Sequence, residues 1–235
     1  MAVVNGAGGG REDPPFSFAE VAGRYDALNR LMSLGCDRRW RRIAAEAIDP
    51  PASGCVLDVG AGTGDMALAL LRRQPGSTVV GLEPVAEMMR VGQCKSNSKQ
   101  VRWAQGDGLR LPFPDGHFDG VVSAFLLRNV TDVTAALTEQ CRVTKSGGRV
   151  ACLEMTWPQT PGFRELFRFY FARLAPPIMG RMSGQPAAYR YLPRSVQRFL
   201  KPEELEAAME RVGLRNVRYR TLMLGTVALH VGERR

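Results

Sequence analysis

The sequence predicts an α/β fold built on a seven-stranded, mostly parallel sheet with helices on both faces. Three observations predict it. Short apolar segments alternate with segments of helical periodicity between residues 55 and 154, an order typical of parallel sheets. A glycine-rich turn directly follows the first apolar segment, and the last two strands resemble a closing hairpin. Strands are predicted at residues 55–59, 78–82, 101–105, 119–124, 149–154, 215–220 and 226–231.

The chain is predicted to form a single domain over residues 16–235, after a glycine-rich leader at residues 1–15 that we expect to be disordered. Residues 16–48 are predicted to form an N-terminal helical cap, with one helix over 16–34 and a second that has Asp37 as its N-cap. An insertion over residues 158–200, rich in aromatic side chains, follows the fifth strand. The remaining helices are predicted at residues 65–73, 85–93, 133–143 and 201–212.

Composition narrows the classes of function. The 235 residues carry a formal net charge of +9, which favours an anionic partner such as nucleic acid, a membrane surface or a phosphorylated substrate. The clustered arginines near residues 38–42 and 215–220 could equally be solvated faces. Five scattered cysteines fit a reducing cytoplasm, and two histidines exclude a histidine-rich metal site, so no metal is predicted.

The strongest local signal is the segment VLDVGAGTGD at residues 56–65. Its glycines permit a tight turn and close approach of a ligand to the backbone at a helix N-terminus. The dinucleotide fingerprint would need glycine where Asp65 stands, so the pattern argues against NAD and resembles motif I of class I methyltransferases. A turn without a ligand is the simpler alternative. The candidate cofactor contacts in this segment are Asp58, Gly60, Gly62, Thr63 and Gly64.

Further candidate contacts for the cofactor follow the next strands. Glu83 ends the second strand, where an acidic side chain can hold a ribose diol, although it could instead cap the next helix. The resemblance to class I methyltransferases implies that Asp107 and the backbone of Gly108 contact the adenine. The remaining predicted contacts are Pro84, Met88 and Ala124.

Several segments outside the glycine-rich turn resemble the ubiquinone/menaquinone biosynthesis C-methyltransferase family (UbiE/MenG). They are YDALN at 25–29, MSLG at 32–35, RWR at 39–41, LRNVTD at 127–132, YRYL at 189–192 and ALHVG at 228–232. The resemblance implies a Rossmann-like fold and transfer of a methyl group from S-adenosylmethionine (SAM) to a ring carbon of a polyprenyl quinol precursor, with demethylmenaquinol favoured. Ala124 and Leu126 depart from the family pattern, which leaves the choice of ring open.

Four residues are predicted to act in catalysis. Arg128 is expected at the carboxyl edge of the sheet, where it could stabilise a developing phenolate or orient a water molecule, or could instead form a salt bridge that fixes the loop. Asn129 could hold the ring hydroxyl, while Tyr25 and Asp26 could close over the cofactor and assist proton transfer. Glu154 and His230 remain ambiguous, and the sequence does not identify the general base.

The insertion carries arginines between its aromatic residues, a composition suited to an anionic membrane surface, although an aromatic stripe is also typical of plain core. We therefore expect a cytoplasmic protein, with peripheral contact at the inner face of the membrane and homodimer formation as open alternatives. A benzoquinol or another small aromatic could replace the naphthoquinol. Methylation of a nucleic acid is a further alternative, but the motif usual for such enzymes is absent after the fourth strand. A non-catalytic subunit of a quinone-synthesis assembly is another, and the intact glycine turn argues against it.

Overall fold

A computed structural model describes residues 17–95 and 98–235, so the leader predicted for residues 1–15 lies outside the described residues. Seven strands form one sheet in the order β3-β2-β1-β4-β5-β7-β6. The strands are β1 (Cys55–Val59), β2 (Thr78–Leu82), β3 (Val101–Ala104), β4 (Phe118–Ala124), β5 (Thr144–Met155), β6 (Leu214–Leu222) and β7 (Val227–Arg234). Each predicted strand is present, with ends that differ by at most a few residues.

The sheet is parallel except at β7. Strands β3, β2, β1, β4 and β5 pair in parallel, whereas β7 pairs antiparallel with both β5 and β6. The chain therefore places β2 and β3 on one side of β1 and β4 on the other. Ligands of open α/β sheets bind at such a reversal of strand order, beyond the carboxyl ends of the strands.

Helices cover both faces of the sheet, because alternate residues of the buried strands are apolar on each side. One face packs against α3 (Asp37–Ile48) and α4 (Asp65–Arg73), with Val56 and Val122 in its core. The other packs against α6 (Val133–Val143) and α10 (Pro202–Arg211), with Leu57 and Val121 in its core. Helix α5 (Ala86–Gln93) lies between β2 and β3 in the chain.

The N-terminal cap departs from its prediction in two details. The single helix expected over residues 16–34 is divided into α1 (Phe18–Val21), a 3₁₀ turn (Ala22–Arg24) and α2 (Tyr25–Met32), because the backbone at Val21 and Arg24 leaves regular helical geometry. Asp37 is not the N-cap of α3. Cys36 occupies that position, and the Asp37 carboxylate instead accepts a hydrogen bond from the Ser33 hydroxyl at 3.1 Å.

The insertion after β5 is helical. It contains α7 (Phe163–Phe169), a π-helical turn (Tyr170–Leu174), α8 (Ala175–Ser183) and α9 (Pro186–Arg198). Leu28 of the cap forms a small buried cluster with Met179 and Tyr189 of the insertion. The cap and the insertion therefore pack on each other above the sheet edge at which β1 and β4 end.

Candidate active site

The loop after β1 has the geometry of a ligand cradle. Gly60, Gly62 and Gly64 all have positive φ angles, of 68°, 58° and 81°, a conformation that residues with a side chain rarely adopt. A Cβ atom at Gly60 would lie 2.7 Å from the Leu126 side chain. The loop then enters α4 through Gly64, its N-cap. Substitution of Gly60 would therefore cause both backbone strain and a steric clash.

Glu83 holds this loop to the end of β2. Its buried carboxylate accepts hydrogen bonds from the backbone N–H of Gly62 at 2.7 Å and of Val85 at 3.0 Å. Burial raises the pKa of Glu83, and the two hydrogen bonds oppose that rise. The bond to Val85 reaches the N-cap residue of α5 but does not cap the helix, which has no side-chain cap hydrogen bond. Each oxygen retains acceptor capacity for a ribose hydroxyl.

Asp58 is a fully buried carboxyl group, and neither of its oxygens has a hydrogen-bond partner. Burial raises its pKa from 3.8 to about 7, although the Arg41 guanidinium and the N–H of Ala67 lie near enough to oppose the shift. An unsatisfied buried carboxylate is costly. Its location, two residues before the glycine cradle, marks a place where a ligand or water can supply the missing hydrogen bonds.

The other predicted cofactor contacts surround the cradle. Met88 is buried, and its Cε lies 3.5 Å from the position of a Cβ on Gly62. Asp107 is exposed and accepts a hydrogen bond from the N–H of Leu109 at 2.9 Å, so it stabilises its own turn. Gly108 approaches Val59 at the end of β1, Pro84 is exposed beside Glu83, and Ala124 ends β4.

Lys95 is a residue of the site that the sequence analysis missed. Its ammonium group contacts Asp26 of the cap at 2.6 Å and Asp65 of α4 at 2.5 Å. Asp26 also accepts a hydrogen bond from the Thr63 hydroxyl of the cradle at 2.5 Å. These contacts fasten the cap to the cofactor loop. A lone lysine in a polar stretch offers no signal from which this role could have been predicted.

A cavity of about 430 Å³ opens between the cap, the insertion and the loop after β4. Its walls are mostly apolar and aromatic, with a few polar side chains. The lining includes Tyr25, Asn29, Asp37, Trp40, Arg41, Phe125, Arg128, Met155, Phe163, Phe167, Tyr170 and Phe171. Ligand sites for small aromatic molecules have this character, a concave apolar surface with few polar groups.

Phe125 forms the floor of the cavity in a left-handed conformation, with φ of 61°. Its N–H donates a hydrogen bond to the backbone carbonyl of Leu153 in β5, at 2.7 Å. Its carbonyl accepts from the Arg128 guanidinium at 2.6 Å and from the Asn129 amide at 3.1 Å. Two of the predicted catalytic side chains therefore fix this turn, whose backbone is strained for a residue other than glycine.

Arg128 also forms a buried ion pair. Its Nη1 lies 3.2 Å from Glu154 Oε2, at the end of β5. Burial raises the pKa of Glu154, and Arg128 opposes that rise. Arg128 Nε and Glu154 Oε1 are buried without partners. The salt bridge that was the structural alternative for Arg128 is present, and Arg128 also lines the cavity.

His230 lies apart from the cavity lining. Its Nε2 lies 2.9 Å from the carbonyl oxygen of Pro202, and its ring stacks on Tyr219. Burial lowers its pKa to about 4. These contacts give His230 a structural place between β7 and the start of α10.

The fold is shared with solved methyltransferases. A SAM-dependent methyltransferase of Thermotoga maritima matches with a TM-score of 0.64 at 18% identity, over 93% of this chain and 98% of that chain. Human N-acetylserotonin methyltransferase, in complex with SAM, matches with a TM-score of 0.60 at 17% identity, over 90% of this chain and 55% of that chain. The architecture is that of the class I, SAM-dependent methyltransferases.

Residues 16–234 match the sequence profile of the ubiE/COQ5 methyltransferase family, and the chain belongs to this family. The demethylmenaquinone methyltransferase of Thermus thermophilus is 45% identical over 219 residues, which cover 92% of this chain and 99% of the relative. The ubiquinone/menaquinone biosynthesis C-methyltransferase UbiE of a Geobacter species is 40% identical over 222 residues, 92% of this chain and 94% of the relative. The predicted family and fold class are confirmed, and the chain is a SAM-dependent methyltransferase.

The cradle fits SAM as its methyl donor. The glycine turn leaves room for close approach of a ligand, and the unpartnered Asp58 carboxyl supplies acceptors beside it. Among residues 17–95 and 98–235, no group of three or more His, Cys, Asp and Glu side chains is arranged to hold a metal ion. In the same part of the chain, no helix is long and apolar enough to cross a membrane.

The raised pKa of Asp58 predicts a particular dependence of stability on pH. Its pKa is 3.8 when unfolded and about 7 when folded, so the folded state binds more protons between these values and stability falls as pH rises through them. We expect the free energy of unfolding of the cofactor-free native protein to fall more steeply with pH than that of Asp58→Asn. The two slopes should differ by up to roughly 1.4 kcal/mol per pH unit. The difference should level off above the folded pKa.

Urea denaturation from pH 4 to pH 8 measures this difference, because the other titrating groups are common to both proteins. Asp49→Asn is the matched control, since the Asp49 side chain is 60% exposed. Parallel stability curves for the native protein and Asp58→Asn would show that Asp58 has an ordinary pKa.

Proposed function

We propose that the protein transfers a methyl group from SAM to a ring carbon of a polyprenyl quinol precursor, with demethylmenaquinol as the favoured substrate. The observation that carries the proposal is the aromatic, apolar cavity beside the cofactor cradle. It suits a flat, uncharged ring better than a nucleotide. The names of the relatives, demethylmenaquinone methyltransferase and UbiE, support the same substrate class.

The chemistry requires an electron-rich ring carbon aimed at the donor methyl. SAM supplies that methyl group, and its sulfonium becomes a neutral thioether as the carbon–carbon bond forms. The ring carbon then loses its proton, which restores the aromatic ring. The protein contributes positioning, exclusion of water and control of this proton.

Side chains of the cavity can position the ring. Phe125 offers an aromatic face, with Trp40 packed against it at 6.3 Å in an edge-on arrangement. Arg128 and Asn129 fix the turn that presents this face. We therefore propose that they set the distance of the substrate ring from the cofactor cradle. Tyr25 lines the cavity beside Asp26, which contacts the cradle through Thr63. The cap thereby joins the two ligand sites.

Replacement of Arg128 tests this positioning role. Arg128→Ala removes the hydrogen bond to the Phe125 carbonyl and leaves the Glu154 carboxylate buried without a cation. We expect a loss in kcat of roughly 100-fold or more, because misplacement of the ring affects the reacting geometry directly. Steady-state kinetics on folded protein, with SAM affinity measured by calorimetry, checks it.

Arg142→Ala is the control for loss of a paired arginine, since Arg142 bonds Glu139 and Asp115 away from the cavity lining. Unchanged turnover by a folded Arg128→Ala protein would remove Arg128 from the mechanism.

Methyl transfer to a short-chain demethylmenaquinol tests the function itself. The protein is incubated with methyl-labelled SAM under reducing conditions, and the product's mass and methyl position are determined. We expect a single C-methylated naphthoquinol. A protein that binds SAM but methylates only a benzoquinol would contradict the favoured ring, and one that methylates neither would contradict the quinol proposal.

We also propose that the cavity opens toward an anionic membrane, from which the prenyl chain of the substrate is taken up. Five apolar side chains both line the cavity and are exposed to solvent. We call them the apolar rim, and they are Leu34, Leu166, Phe169, Leu174 and Met223. Exposed Leu31, Ile178 and Leu224 belong to the same segments. Exposed arginines lie close to rim residues in the chain, at Arg38, Arg39, Arg168, Arg173 and Arg220. Apolar side chains with basic neighbours suit an anionic lipid surface.

Vesicle co-sedimentation tests the membrane contact. We expect the protein to sediment with phosphatidylglycerol vesicles at low salt and less with neutral phosphatidylcholine vesicles. Leu34→Ser combined with Leu224→Ser, at side chains 74% and 66% exposed, should weaken binding by roughly tenfold or more, because two apolar contacts are lost. The control Arg211→Ser changes an exposed charge on α10, a helix that contributes no residue to the cavity lining. Absence of sedimentation at low salt would refute the membrane contact.

A further inference from the structure

Arg41 is the unusual member of the arginine cluster at the start of α3. Arg38, Arg39 and Arg42 are exposed, whereas Arg41 is only 7% exposed. Within residues 17–95 and 98–235, the Arg41 guanidinium has no ion pair and no hydrogen bond, and its buried Nε has no partner. A buried cation without a short ion pair is unfavourable, so an anionic or acceptor group of a ligand in the cavity would stabilise it.

The guanidinium of Arg41 belongs to the cavity wall. It lies 5.2 Å from the centre of the Phe125 ring, and the guanidinium of Arg128 lies 5.9 Å from the same centre. Both cations therefore lie close to the aromatic floor on which we place the substrate ring. The two differ in their partners, because Arg128 forms an ion pair with Glu154 and Arg41 has no ion pair within the described residues.

None of the other charged groups in the described part of the chain lies within ion-pair distance of the Arg41 guanidinium. The titratable groups that line the cavity with it are Tyr25, Asp37, Arg128 and Tyr170, and Asp37 bonds the Ser33 hydroxyl instead. Asp58 and Asp65 lie within electrostatic range of Arg41. The charge of Arg41 contributes to the lowered pKa of Asp65 and opposes the rise that burial causes in the pKa of Asp58. Asp65 is engaged by Lys95, and Asp58 is not bonded to Arg41. The charge of Arg41 is thus balanced only at longer range, by Asp58 and Asp65, and its guanidinium can still accept a short contact from an anion in the cavity.

We propose that Arg41 binds the anionic oxygen of the aromatic substrate, the ring hydroxyl after it has lost its proton. This inference rests on the proposed methylation of a quinol ring and adds the group that favours its reactive, deprotonated form. The proton leaves to solvent water, and the negative charge on the oxygen increases the electron density of the adjacent ring carbon. Charge-assisted hydrogen bonds from a desolvated guanidinium favour the anion over the neutral hydroxyl.

A binding experiment without methyl transfer separates this inference from the proposed function. The probes are 2-hydroxy-1,4-naphthoquinone, which is anionic at neutral pH, and neutral 2-methyl-1,4-naphthoquinone. With the full chain and S-adenosylhomocysteine present, we expect Arg41→Met to weaken binding of the anionic probe by roughly tenfold or more. Binding of the neutral probe should remain within about twofold. Arg41→Lys, which keeps the charge, should retain part of the preference.

Absorbance of the bound hydroxynaphthoquinone gives a second readout, because its spectrum reports ionisation. Its apparent pKa should be lower in the native protein than in Arg41→Met. Arg42→Gln is the matched control, since the neighbouring Arg42 side chain is 68% exposed and pairs with Glu46. Circular dichroism checks that each variant is folded, and if Arg41→Met is not, Arg41→Gln replaces it.

Two results would overturn the inference. Equal weakening of both probes would show that Arg41 only shapes the cavity. Loss of affinity for SAM and S-adenosylhomocysteine, with unchanged binding of the anionic probe, would show that Arg41 binds the carboxylate of the cofactor. Either result would leave the methylation assay free to succeed.

Discussion

The left-handed turn at Phe125 is the constraint on which the shape of the aromatic cavity and the packing of the glycine loop both depend. A residue with a side chain is held at positive φ there, a conformation that costs about 1–3 kcal/mol. Three hydrogen bonds offset this cost, from the Phe125 N–H to β5 and to its carbonyl from Arg128 and Asn129. The turn aims the Phe125 ring into the cavity and sets the next residue, Leu126, against Gly60 of the cradle. Two adjacent residues, Phe125 and Leu126, thereby fix the position of the cavity relative to the glycine loop.

Four residues of the cavity and of the adjoining strand ends carry buried polar atoms that lack a partner. Asp58, Arg41, Arg128 and Glu154 each have at least one buried atom without a hydrogen-bond partner among the described residues. Most buried polar atoms in folded proteins are satisfied, and five other residues in the described part of the chain share this feature, namely Arg30, Ser77, Trp103, Gln140 and His230, so the location of the four beside the cavity and the glycine loop is what connects them with ligand binding. Unsatisfied buried groups lower the free energy of unfolding. A ligand that supplies the missing hydrogen-bond partners removes this penalty and thereby gains binding free energy.

The sequence contained much of this architecture. The strand VLDVG and the glycines after it predicted the cradle because backbone freedom and helix polarity are local properties. The left-handed turn was not predictable, since Phe125 shows no preference for positive φ and only the contacts from β5 and Arg128 impose it. The four arginines near residue 40 looked alike in the sequence, yet helical geometry buries Arg41 and exposes its neighbours. Lys95 acquires its partners only through the fold, because Asp26 lies 69 positions away in the chain.

The apolar rim has a consequence for the protein in water. Large apolar side chains that remain in water favour contact between copies of the same chain, and patches of this kind promote aggregation. The net charge of +9 opposes such contact, since two molecules repel each other as they approach. This repulsion is screened by salt over about 8 Å at physiological ionic strength. The basic composition thus maintains colloidal stability in the aqueous phase, and that stability declines as ionic strength rises.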